Sequence, residues 1–155
     1  MNHVQEAESW FLKRWKESML IDMPEFEGSL CDVNFLDEFI DECGYDVGDT
    51  SYYGALLGRV LAYQFNLSWM VHDNVYWLES RPDAIFFVAL CPEHYVIEAF
   101  RCDIPQFFKL SNAYGRAALN IQYQSAGDTD FVLPTNCSYI EELIDYLSKG
   151  KRVKG

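Results

Sequence analysis

The sequence predicts an α+β fold: a small, mainly antiparallel sheet of three or four strands, residues 67–90 and in one reading also 95–100, packed against several helices. Three observations carry this. Apolar residues recur at helical spacing through most of the first 66 positions, the period shortens to two over residues 67–79, and helical spacing returns towards the end of the chain. Half of the residues are hydrophobic and 16% are aromatic, which suits a packed core rather than a disordered chain. At 155 residues, one domain over residues 1–149 can bury roughly two thirds of the surface its unfolded form exposes, and residues 150–155 read as a basic, flexible tail.

Residues 4–20 have the pattern of an amphipathic helix, with Ala7, Trp10, Phe11, Trp15 and Met19 on the inner side and Asp22-Met23-Pro24 as its stop. An acidic loop follows over residues 25–31. The next helix, residues 32–43, places Leu36, Phe39, Ile40 and Cys43 on one face and Asp37, Glu38, Asp41 and Glu42 on the other, with Asp32 or Asn34 as its cap and Gly44 as its end. The organising helix spans residues 49–66, capped by Asp49 or Thr50. Gly54, Gly58 and Ala62 form a stripe of small side chains along it that lets another element approach closely, while Tyr53, Leu56, Leu57, Val60 and Leu61 supply a buried face.

Residues 67–71 alternate Leu67, Trp69 and Val71 inward with Ser68 and Met70 outward, as a half-buried strand requires. Asp73-Asn74 is the expected turn, 75–79 the second strand, 80–83 a further turn, and 84–90 a third strand. That third strand is apolar on both faces, so it is expected in the middle of the sheet under helices. Pro92 and Glu93 suit the first turn of a helix over 92–100, with a strand as the alternative. A helix over 103–122, weakened at Gly115, a loop over 125–135 and a closing helix from the capping box at Ser138-Tyr139-Ile140-Glu141 complete the chain.

Charge narrows the classes of function. Twelve basic against 24 acidic residues leave a net charge of −12, and no Lys or Arg occurs between Lys16 and Arg59. Such a surface repels phosphate, which argues against nucleic acid, and attracts a basic protein. The longest apolar run, residues 84–91, is far short of the about 20 residues of a membrane span. Without a basic, apolar amino-terminal leader the expectation is a soluble cytoplasmic protein. Five dispersed cysteines read as small buried hydrophobes.

Catalytic signatures are sparse. His3, His72 and His94 are the only histidines, and no nucleophile elbow or phosphate-cradling loop accompanies them. Cys91-Pro92-Glu93-His94 offers half of a metal site and no second half, so neither a metal nor another cofactor is expected. The enzymatic or small-ligand alternative is a pocket beside the sheet near His72 and Asp73, with Trp69 and Trp77 as aromatic walls. A homo-oligomeric module is a third reading.

Tyr53-Gly54-Ala55-Leu56-Leu57-Gly58-Arg59-Val60-Leu61, the strand Leu67-Ser68-Trp69-Met70-Val71, and the apolar segment 84–90 leading into Pro92 resemble a group of small uncharacterised bacterial domains over residues 50–100. Many such domains look like stand-alone partners in toxin and immunity gene pairs. The resemblance implies α+β architecture and a non-enzymatic, cytoplasmic protein that binds and neutralises a cognate bacterial toxin, and it carries over no catalytic residue. The expected contact surface is Glu25, Glu27, Asp37, Glu38, Asp41, Glu42, Asp46 and Asp49.

Overall fold

The computed structural model describes residues 2–19, 22, 24–85, 87–101 and 109–125. Helix α1 (His3–Ser18) opens on a capping box that the sequence reading missed: Asn2 Oδ1 accepts from the Gln5 backbone N–H at 2.9 Å, and Gln5 Oε1 accepts from the Asn2 N–H at 3.1 Å. Ala7, Phe11 and Trp15 are buried along it. Helix α2 (Leu30–Cys43) is capped by Ser29, whose hydroxyl accepts from the Cys31 N–H, and ends at Gly44 with φ 74°. Neither Asp32 nor Asn34 is its cap. The buried Asp32 carboxylate instead accepts from the Glu27 and Gly28 N–H groups at 3.1 and 2.8 Å and so folds the preceding loop onto the first turn.

A 3-10 turn (Val47–Asp49) leads into α3 (Thr50–Phe65), which touches every other described α-helix. Tyr53, Leu56, Leu57, Val60 and Leu61 are all buried, and burial drives the Tyr53 hydroxyl far above the ordinary phenol range, with the Asp49 charge adding to it. The stripe of small residues has two roles. A methyl group on Gly54 would lie 2.8 Å from Glu93 Cα, and one on Gly58 would overlap the Trp69 indole, 2.6 Å from Cζ2. Gly54 therefore admits the backbone of another helix, α4 (Pro92–Phe100), and Gly58 admits a flat ring. Asn66, in the left-handed conformation at φ 57°, ends α3.

The hairpin follows its alternation closely. Strands β1 (Ser68–His72) and β2 (Val75–Glu79) pair antiparallel with Met70 opposite Trp77, and both turn residues, Asp73 and Asn74, have positive φ. That is the signature of the tight turn that matches strand twist, reached here with two residues that tolerate φ > 0 without glycine. Val71, expected inside, is 58% exposed because the hairpin tip runs past the core.

The third strand departs from expectation. Only Ala89–Leu90 forms β3, and in the order β1-β2-β3 it is an edge rather than the centre. Ile85 and Phe87 are 92% and 67% exposed. Ser80 closes the intervening loop, donating its N–H to the Val88 carbonyl and accepting the Val88 N–H on its hydroxyl. A fourth neighbour is replaced by one side chain: Gln124 accepts from the Ala89 N–H at 2.8 Å and donates to the Ala89 carbonyl at 3.1 Å. It satisfies the strand edge as a paired strand would.

Residues 95–100 are helical in α4, which settles the helix-or-strand alternative, and Pro92 stands in its first turn. Helix α5 (Leu110–Ser125) is unbroken at Gly115, which is buried against its neighbours. The expected helix start at 103–108, most of the loop over 125–135, the capping box at 138–141 and the basic tail lie outside the described residues. Among the described cysteines Cys31 and Cys43 are exposed and Cys91 is half-buried, contrary to the expectation of burial. Cys43 falls on the last residue of α2, beyond the core's reach. No described helix is long and apolar enough to cross a membrane.

Candidate functional site

Helical spacing sets Glu38, Asp41 and Glu42 side by side on α2. All three are exposed, as are Glu25 and Glu27 in the loop before the helix and Asp46 after it. Asp49 is half-buried, and burial raises its carboxyl above the usual range against the opposing effect of nearby Arg14. Within this group some charges already have work inside the chain. Asp46 accepts from the Gly48 N–H at 2.8 Å, Glu27 accepts from the Ser29 hydroxyl at 3.0 Å, and Asp41 stands 3.5 Å from the Lys109 ammonium. Among the described residues no ion pair compensates Glu38 or Glu42.

Asp37 does not belong to this surface. It is 9% exposed, and its carboxylate accepts from the Leu110 and Ser111 backbone N–H groups at 2.5 and 3.2 Å. These are first-turn donors of α5, so Asp37 caps a helix 73 positions further along the chain. Burial raises its carboxyl above the ordinary value, while the Ser111 and Leu110 hydrogen bonds and Lys109 act the other way. The expectation of an outward Asp37 fails because periodicity places a residue on a helix flank without revealing that a second helix begins there.

The small-ligand alternative is not assembled as expected. Strand alternation and the Met70–Trp77 register put Trp69 and Trp77 on opposite faces of the hairpin. Asp73 is exposed in the turn, and the side chain of His72 lies outside the described residues. Each tryptophan lines a separate cleft. Trp77 borders a groove of about 370 Å³ with Cys91, His94, Tyr95 and Asn120. Beside it, His94 and Arg116 share the two oxygens of Glu98 at 3.2 and 2.9 Å, and burial pushes the Cys91 thiol up.

Trp69 lines a tighter cleft of about 170 Å³ between the starts of α1, α3 and α4 and the hairpin tip. The His3 imidazole stacks on Tyr76 with centroids 3.7 Å apart and 10° between planes, and meets Trp69 edge-on at 4.3 Å. Burial lowers the His3 pKa, opposed by Glu6, so the ring is neutral near pH 7. Its Nε2 is buried with no hydrogen-bond partner. Nothing in the sequence around His3 signals this arrangement, because its partners come from residues 69 and 76. Compared with protein-family models, curated proteins and solved structures, the chain matches none, so its functional reading rests on its own residues.

Proposed function

We propose that the chain is an acidic, non-enzymatic immunity-type protein that neutralises a cognate bacterial toxin in the cytoplasm by laying the carboxylate face of α2 over a basic active cleft. The observation that supports this is the exposed Glu38, Asp41 and Glu42 group in a stretch without Lys or Arg from position 17 to 58. Like charges at these spacings each cost an isolated helix a few tenths of a kcal/mol, and Glu38 and Glu42 recover none of it through a described ion pair. Docked on a basic surface, the same charges become favourable and speed encounter. The contact set narrows to Glu25, Glu27, Glu38, Asp41, Glu42 and Asp46, with Asp49 at its margin and Asp37 assigned to the fold.

A protection assay in the native host tests the reading. The partner retained by the immobilised wild-type chain should arrest growth when expressed alone and be harmless when the wild-type chain is co-expressed. Glu38→Lys/Asp41→Lys/Glu42→Lys should abolish protection while the variant stays folded. Equal protection by wild type and variant rules out this face; a retained partner without toxicity rules out the immunity role.

A further inference from the structure

The loop between β2 and β3 carries Ile85, at 92% the most exposed large apolar side chain among the described residues, and Phe87 close by is 67% exposed. Ile85 also lines a groove of about 410 Å³ whose walls include the half-buried Phe65 and the buried Leu67, Val88 and Ile121. An apolar projection thus stands beside an apolar hollow, and exposed surface of this kind marks an interaction site. We propose that this face binds a second copy of the chain across a two-fold axis. Ile85 of each copy enters the groove of the other, and Arg81 of each lies opposite Asp83 of its partner.

The face is complementary to itself in shape and in charge. A two-fold contact uses every feature twice, so a projection and a hollow side by side on one surface satisfy each other reciprocally. Arg81 and Asp83 are the two charged residues of the groove lining, both exposed, and neither forms an ion pair within the chain. Opposed across the axis they form two equivalent pairs. Their charges cancel in a chain whose net charge is −12, so two copies repel one another less here than through the carboxylate face of α2. The loop is also set in advance. The Ala84 N–H donates to the Arg81 carbonyl at 3.0 Å, and at the base Ser80 holds Val88 through two hydrogen bonds of 2.9 Å, which lowers the ordering cost of association. None of these residues belongs to the α2 face, so the dimer stands or falls independently of toxin binding.

Sedimentation equilibrium on the full chain tests this. One chain should give way to two as the concentration rises through the micromolar range, and association should tighten in high salt, which screens the repulsion between two chains of net charge −12. Ile85→Lys should weaken dimerisation by at least about hundredfold, because the substitution counts twice across the axis. Its urea midpoint should match wild type, since so exposed a side chain supports little of the fold. Arg81→Asp, which sets like charges opposite one another, should weaken the dimer by about tenfold, and Arg81→Asp/Asp83→Arg should restore it to within about threefold of wild type. Such restoration identifies the reciprocal pairing, which neither a cover supplied by the same chain nor a different protein would reproduce. A single chain at every concentration, a dimer unchanged by Ile85→Lys, or a double variant as weak as Arg81→Asp would overturn the proposal.

Discussion

Gly54→Ala is expected to destabilise the protein by about 2 kcal/mol, although alanine is the better helix former by about 1 kcal/mol. The reversal of sign comes from packing. The added methyl would sit 2.8 Å from Glu93 Cα and 2.9 Å from Glu93 Cβ, and backbone cannot swing aside as a side-chain tip can. Helix α4 must move away from α3, and overpacking of this kind costs about 1–3 kcal/mol, more when a whole element shifts. The shift also loosens contacts of the buried Tyr95, Val96 and Ala99. Gly58→Ala should act in the same direction by displacing the Trp69 ring and crowding Pro92. Urea unfolding followed by circular dichroism reads both: the midpoint should fall with the slope unchanged. A rise in stability for Gly54→Ala would mean that α4 does not lie against this stripe.

Asp37→Ala is the second large effect, expected to cost about 3 kcal/mol. Losing a cap costs about 0.5–2 kcal/mol. Stranding buried donors adds about 1–3 kcal/mol, and Leu110 and Ser111 both lose their acceptor here. Asp37→Asn keeps one acceptor and should cost less. Glu38→Ala, one residue along on the exposed side, should stay within about 0.5 kcal/mol. The pH dependence has a defined sign. Because the folded-state pKa is raised above 3.8, this group's proton-linked contribution is fully present below that value and is lost as pH rises through the raised value. Asp37→Asn removes this contribution, so its stability deficit relative to wild type should grow as pH falls towards 3.8.

These two residues mark the boundary of what was legible in the sequence. A stripe at Gly54, Gly58 and Ala62 announces close approach whatever the partner is, because only the absence of side chains is needed; that the partners are Glu93 and Trp69 is information held elsewhere in the chain. The hairpin was readable because alternation and turn chemistry are local, and α4 because Pro92 fits a first helical turn. The segment 84–90 misled for the opposite reason. A continuous apolar run says that burial is favourable, and nothing local says that Gln124 occupies the edge where pairing would continue, leaving Ile85 and Phe87 in solvent. Asp37 looked like surface charge, and Asp32 like a cap of its own helix, because a carboxylate can be satisfied by backbone N–H groups that the local sequence does not reveal. The His3 cleft was invisible on the same grounds, since three rings from residues 3, 69 and 76 meet only in the folded chain.

The central claim is that the outer carboxylates of α2 steer a basic partner onto the protein. Stopped-flow association with the retained partner tests it most directly, at about 50 mM and about 500 mM salt, where screening lengths differ severalfold. The wild-type rate should fall by about tenfold or more between the two conditions. At low salt the Glu38→Lys/Asp41→Lys/Glu42→Lys variant should associate more slowly than wild type by a similar factor while unfolding at the same urea midpoint. A rate indifferent to salt and identical in the two proteins would contradict the account.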